Sequence, residues 1–399
     1  MGRLRTVVFW CHLVTGATVG LVVLVMSVTG ALLAYQRQLT AWADARSLGV
    51  APPPPGARRL PADSLLARVR AASAGVPTAV TWRSAPGAPV EVAFGRERTL
   101  FVDAYTGEVL GEGARSLRAF FRRVTELHRW LGTADEHRTL GRAFTGGANL
   151  AFLFLVLSGC FLWWPRRWTR AAFRNVTLFR RGLSGKARDF NWHHVIGLWS
   201  ALPLAVVVLS GVVISYPWAS DLVYRSLGEV PPPRAARPGG SGERGAAPSD
   251  AGGAHPTVDD RLLSRARARL PGWRSITLPL TGATDSALTF TLDRGTGGQP
   301  QARAQLTLER ATGREVKWEP FGAGTPGRRL RSVLRFAHTG EVLGLPGQTV
   351  AGLVSLGAAV LVWTGLALAW RRFRAWRGRS APAAAATAGA AERQDGRAA

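Results

Sequence analysis

The sequence predicts a membrane α-helical protein. Four transmembrane helices form two parallel pseudo-twofold repeats, and each repeat carries an α+β segment on the outer side. Three observations carry this reading. Four charge-free apolar stretches reach the length a bilayer requires, about 20 residues. The short connection between the second and third stretches is strongly basic. The chain also aligns with itself around paired histidines and glycines. With 399 residues, 47% hydrophobic, the chain is too apolar for disorder. Its formal charge of +26 points first to nucleic acid or an anionic membrane surface. The apolar stretches exclude a soluble nucleic-acid binder.

The first helix is expected over 7–35. Arg3 and Arg5 precede it like a signal-peptide flank, but the run is too long for a signal and lacks a small-residue cleavage site, so it is read as retained. An outer α+β domain follows over 36–114. Pro61–Ala74 reads as a helix, and Val90–Phe94 and Leu100–Val102 alternate as strands do. Asp103–Gly107 is a turn whose glycine suits positive φ. A basic amphipathic helix is expected over 115–132 and a second membrane helix over 143–164. The loop 165–191 carries Arg166, Arg167, Arg170, Arg174, Arg180, Arg181, Lys186 and Arg188 against a single acid, Asp189. Short basic loops stay in the cytoplasm, which places both termini inside.

The third membrane helix is expected over 193–218 and the second outer domain over 219–318. That domain has a helix at Thr257–Leu270, alternating runs at Ala287–Leu292 and Ala304–Leu308, and a turn at Glu309–Gly313. Residues 231–256, rich in Pro, Gly, Ser and Ala, read as a flexible insertion. A second amphipathic helix spans 327–339, and a fourth membrane helix 349–370. The Ala-rich tail 378–399 reads as disordered.

Aligning His12 with His193 brings Gly16 onto Gly197, Gly30 onto Gly211 and Tyr35 onto Tyr216 without a gap. His128 and His338 close the two amphipathic helices. Both repeats start and end inside, so they are parallel and related by an axis along the membrane normal. From His12 to Tyr35 is about 35 Å of helix at the usual rise. The repeat therefore sets one histidine pair near each membrane surface: His12 with His193, and His128 with His338. A pair of imidazoles suits haem iron, which accepts nitrogen on both faces. The chain has no C-x-x-C-H motif, so such a haem would be b-type. Gly16, Gly30, Gly197 and Gly211 would let a porphyrin or a neighbouring helix approach. The alternatives are interfacial anchoring histidines, or zinc or copper, although a four-coordinate site needs more ligands than a pair provides. His194, aligned with Leu13, is a neighbour or alternate ligand; His137 and His255 read as surface residues. The pairs Thr29-Gly30, Ser158-Gly159, Ser210-Gly211 and Thr364-Gly365 read first as packing sites. No G-x-G-x-x-G follows a strand, so no nicotinamide or flavin domain is expected.

His12-Leu-Val-Thr-Gly16, Leu127-His-Arg-Trp-Leu131, Phe161-Leu-Trp-Trp-Pro-Arg166, Asn191-Trp-His-His-Val-Ile-Gly197 and Ala337-His-Thr-Gly-Glu-Val-Leu-Gly344 resemble the PepSY-associated transmembrane helix family. The outer segments resemble PepSY domains, most clearly at Asp103-Ala-Tyr-Thr-Gly-Glu-Val. The likeness covers roughly residues 3–376. It implies a bacterial inner-membrane protein with periplasmic PepSY-like domains, acting in iron uptake as a di-haem ferric-siderophore reductase. The resemblance maps haem-iron ligands onto His12 and His193 at the inner side and onto His128 and His338 at the outer side. Its implied partners are a ferric siderophore or other ferric chelate, the bilayer, and an electron donor, either quinol or a cytoplasmic reductase. Two readings from other classes stand beside it: a membrane-tethered PepSY binding or regulatory module without enzymatic activity, and a siderophore or iron transporter. This sequence departs from the family in its insertion and in Arg314 after the second turn glycine.

Overall fold

A computed structural model describes residues 2–50, 52–53, 55–95, 98–164, 169–233, 258–280 and 286–395, with side chains as far as 378. Two compact units emerge: Met1–Leu32 with Thr125–Ser215 and Thr349–Ala399, and Leu33–Val124 with Tyr216–Gln348. The helices, in chain order, are α1 (Gly2–Leu33), α2 (Gln36–Leu48), α3 (Ala62–Ala72), α4 (Arg115–Trp130), α5 (Arg138–Trp163), α6 (Arg170–Thr177), α7 (Gly185–Ser215), α8 (Pro217–Arg225), α9 (Asp260–Arg269), α10 (Pro326–His338) and α11 (Gly344–Asp395). The strands are β1 (Ala79–Arg83), β2 (Val90–Phe94), β3 (Arg98–Val102), β4 (Val109–Gly111), β5 (Ser275–Pro279), β6 (Ala287–Asp293), β7 (Arg303–Glu309) and β8 (Glu315–Pro320).

The first unit is built on α1, α5, α7 and α11, which hold apolar stretches long enough to cross a membrane. Leu204 and Val208 of α7 bury against Val354 and Ala358 of α11, with Phe152 and Val156 of α5 packed beside them. Leu21, Leu157, Leu202 and Leu353 stay exposed on the outside, the disposition lipid favours over water. Arg5 of α1 donates to the carbonyls of Leu162 and Trp164, satisfying acceptors that the end of α5 leaves over. The described part of the basic loop holds a short helix, α6. It is capped by Thr169, whose hydroxyl accepts from the Ala172 N–H at 3.1 Å. Asn191 of α7 then donates to the carbonyls of Asn175 and Leu178. At the far end α11 continues to Asp395, through the stretch read as a disordered tail; alanine is the best helix former and supplies the propensity.

The second unit holds one antiparallel sheet, in the order β4-β3-β2-β1-β5-β6-β7-β8. The two separate α+β domains expected from the sequence are therefore halves of one sheet. The seam is β1 against β5, five residues in register from Ala79↔Pro279 to Arg83↔Ser275. At its centre the Thr81 and Thr277 hydroxyls meet at 2.9 Å. The physical reason is that each half alone would leave a bare edge strand, and pairing the two edges removes both. Leu65, Leu66 and Val69 of α3 and Leu262, Leu263 and Ala266 of α9 share one core with Val80, Val92, Ile276, Leu278 and Phe290 from the strands. The helix starts brace each other. Asp260 accepts from the Ala62 N–H at 2.9 Å, and Asp63 from the Val258 N–H at 2.5 Å. Both predicted turn glycines adopt positive φ, 72° at Gly107 and 70° at Gly313. All but the first three residues of the insertion read at 231–256 fall outside the described residues, as does His255.

Candidate functional site

Ordinary helix chemistry builds the site. A serine or threonine inside an apolar helix turns its hydroxyl back onto the carbonyl four residues earlier, because no water is there to receive it. Ser158 of α5 donates to the Phe154 carbonyl at 2.7 Å, Thr364 of α11 to Val360 at 2.8 Å, and Thr29 of α1 to Val25 at 2.6 Å. Each hydroxyl proton is thereby committed, and each oxygen keeps lone pairs that can only accept.

A histidine meets each of these oxygens. His12 Nδ1 lies 2.8 Å from Ser158 Oγ, His193 Nδ1 lies 2.9 Å from Thr364 Oγ1, and His128 Nδ1 lies 2.9 Å from Thr29 Oγ1. With the oxygen as acceptor, Nδ1 must carry the hydrogen. A neutral imidazole held this way is the Nδ1–H tautomer, whose Nε2 keeps the lone pair. A second partner on one ring nitrogen is how proteins set the other up as a metal ligand.

The glycine after each hydroxyl completes the seat. A Cβ on Gly159 would stand 3.6 Å from His12 Cε1, one on Gly365 3.3 Å from His193 Cε1, and one on Gly30 3.4 Å from His128 Cε1. Ordinary contact at Gly159 tightens to crowding at the other two, so glycine lets the ring lie against the helix. Further along the same helices, Gly16 faces Leu155 at 3.8 Å and Gly197 faces Leu361 at 3.7 Å. Sequence reasoning took the Ser/Thr-Gly pairs mainly as packing sites and missed that the hydroxyl orients a histidine. The signal was present: a hydroxyl residue precedes the glycine in all four pairs.

His12 and His193 are half-buried in the same unit, close enough to interact electrostatically. His194 differs. Its Nδ1 bonds the Phe190 carbonyl of its own helix at 2.9 Å, and its ring lies over Phe190 with centroids 4.1 Å apart. No hydroxyl from another helix meets it in the hydrogen bonds it makes. His137 sits exposed in a short 3₁₀ turn. His338 ends α10 in the second unit and is half-buried. The basic side chains around it are engaged: Arg37 pairs with Glu341 at 2.8 Å and Arg303 with Asp293 at 2.9 Å. On the first amphipathic helix Arg118 pairs with Asp44 at 2.7 Å. Among the described residues no three His, Cys, Asp or Glu side chains converge on one metal ion, and Cys11 and Cys160 are free thiols.

Fold and site together define a class: a membrane protein of four spanning helices, with an antiparallel sheet unit and histidines seated on hydroxyl–glycine pairs between helices. Residues 9–372 match the model of the PepSY-associated TM region, and the chain belongs to that family. No curated protein matches the chain.

Proposed function

We propose that this chain is a di-haem b electron conduit of the bacterial inner membrane that reduces a periplasmic ferric siderophore or similar ferric chelate. The observation that carries the reading is the seating of His12 and His193. Each imidazole is met at Nδ1 by a hydroxyl of another helix, which leaves Nε2 as the nitrogen to offer a metal. The donor set fits haem better than zinc, since two imidazoles serve the two axial positions of haem iron and fall short of a tetrahedral site. The glycines beside both rings support the same fit. His128 has the equivalent Nδ1 contact through Thr29. For His338 the assignment rests on its match to His128 in the repeat alignment. The parallel repeat is itself supported by equal spacing. Leu155 and Ser158 serve Gly16 and His12 as Leu361 and Thr364 serve Gly197 and His193.

Bound haem supplies one-electron chemistry between ferric and ferrous iron. The chain's residues do the rest. Ser158 and Thr364 fix the tautomer and ring direction of the inner ligands. The apolar helices exclude water from around them, which raises the worth of every polar contact inside. Reduction at the outer end favours release of iron, because the hard oxygen donors of a siderophore suit ferric iron better than ferrous.

The test is the visible spectrum of protein purified after haem-replete expression. A Soret band with reducible α and β bands, at about two haems per chain, is expected. His12→Ala or His193→Ala should remove one haem and spare the other. A colourless, folded protein would overturn the proposal, and equal loss of both haems in a folded variant would overturn the two-site arrangement.

A further inference from the structure

Near the start of α7, one carboxylate is buried in an otherwise apolar helix pair. Asp189 has a side chain only 3% exposed. Its Oδ2 accepts from Arg371 Nη1 of α11 at 2.6 Å, and its Oδ1 from Arg188 Nη2 at 3.0 Å. Burying such a pair costs several kcal/mol per ion, and a salt bridge repays that only partly. An ionisable group kept buried at such a cost, beside the start of a spanning helix, is a functional candidate for this reason.

The carboxylate does not stand alone. It lines a cavity of about 290 Å³ with Arg188, Trp192, Val360, Trp363 and Thr364, near the lower end of small-molecule pockets, about 300 Å³. Trp192 and Trp363 are 41% and 67% exposed, so the mouth opens on the outer, apolar surface of the helices and not into their core. The walls are two indoles and aliphatic side chains. The polar side chains are one carboxylate that accepts, one guanidinium, that of Arg188, that donates, and the Thr364 hydroxyl. The innermost wall is Thr364, whose hydroxyl holds His193 Nδ1 at 2.9 Å.

We infer that this cavity binds the ring of a lipid-soluble quinol, the molecule that delivers electrons to the inner end of the conduit. The ring is flat, which suits the indoles. Its hydroxyl donates to Asp189, and the carbonyl of the oxidised form accepts from Arg188. Its isoprenoid tail leaves through the open mouth. A lipid acyl chain would fill the apolar part but offer no hydrogen bond to the carboxylate or the guanidinium. Each quinol that leaves as quinone gives up two electrons and two protons. The electrons reduce two ferric haems to ferrous, one each, and the protons pass to water beyond the exposed Arg188. Electron delivery rests on the haem reading above; ring binding does not.

The probe is a decyl-benzoquinone, measured by equilibrium binding to the full chain, both haem-free and haem-loaded. Saturable binding at one site per chain is expected in both forms. Ala359→Trp, which fills the cavity, and Trp363→Ala, which removes an exposed wall, should each weaken it at least tenfold. Asp189→Asn should do the same while Arg371 keeps an acceptor. In haem-loaded protein, the reduced probe should reduce two haems per molecule consumed, and Ala359→Trp should slow this while leaving reduction by dithionite unchanged. Binding unaffected by Ala359→Trp and Trp363→Ala would overturn the site, as would displacement of the probe by phospholipid alone. If no haem is found but the probe binds with these sensitivities, the conduit reading fails and the site stands. If haem is present and the probe does not bind, the site fails and the conduit stands.

Discussion

Ser158 and Thr364 each bring a hydroxyl oxygen to the Nδ1 of a histidine on another helix; under the proposed function they are positioning residues and not ligands. Replacing Thr364 with valine keeps the shape and removes the acceptor. His193 is then free to change tautomer and turn. Loss of such a partner typically costs about tenfold in affinity or more, and Thr364→Val is expected to weaken haem retention to that extent while Thr364→Ser restores it. Haem titration into the stripped protein measures this. The reduction potential gives a second readout: a ligand that no longer donates at Nδ1 is a poorer donor to ferric iron, so the potential of that haem should rise. A potential unmoved in Thr364→Val would show that the hydroxyl only packs. Another residue-scale expectation concerns Asp103. Burial pushes its carboxyl up, but the N–H groups of Thr106 and Tyr105 outweigh this and hold it below its ordinary value of 3.8. A carboxyl depressed in the folded state stabilises above its unfolded pKa, and that contribution is lost as the pH falls through the folded value. Thermal melts should therefore lose a stabilising increment below about pH 4. Asp103→Asn, which keeps the acceptor and drops the charge, should flatten that dependence.

Helix starts and strand edges carry the second unit at the scale of elements. Asp63 and Asp260 each accept a backbone N–H from the opposite half, so each ties the start of α3 to the start of α9. Removing either oxygen leaves a partly buried donor unsatisfied, at a cost of about 1–3 kcal/mol. Asp63→Ala and Asp260→Ala are expected to lower hydrogen-exchange protection in β1 and β5 together, since both mutations loosen the seam between the halves. Protection lost in one half only would mean the halves are stable independently. Val90–Phe94 and the alternation of Ala304, Leu306 and Leu308 were legible in the sequence because a half-buried strand repeats every two residues. The seam strand Ala79–Arg83 was not, although Val80 and Trp82 alternate inward. Its inward side chains are only two, Val80 and Trp82, and the strand ends on Arg83 beside Ser84 and Pro86, so the period is cut short by loop-forming residues.

Charge acts on the whole molecule. The membrane class follows from four apolar spans, and the expected orientation from where arginine collects, since short basic loops are retained inside. In a variant without Cys11 and Cys160, Arg181→Cys in the basic loop is expected to react with a membrane-impermeant maleimide only after the cells are opened. Glu108→Cys in the sheet unit should react in spheroplasts. The reverse pattern would invert the expected topology. Some arginines are paired with carboxylates, as in Arg118–Asp44 and Arg303–Asp293, but 51 basic residues against 25 acids leave most of the charge without an acidic counterpart. Exposed ion pairs contribute little individually, so much of the +26 is an electrostatic property of the surface and not a stabilising network.

The sequence by itself determined the membrane class, the four spans, the family and the histidines worth examining. Each of these follows from composition, local period or short motifs, which a linear reading contains. The tertiary structure alone decided that two α+β halves share one sheet, that Ser158 and Thr364 meet the Nδ1 of His12 and His193, and that Asp189 is paired across α7 and α11. These depend on partners 146 to 196 residues apart. No periodicity spans such a distance; only the folded chain brings a hydroxyl, a ring and a glycine to within hydrogen-bond and van der Waals reach of one another.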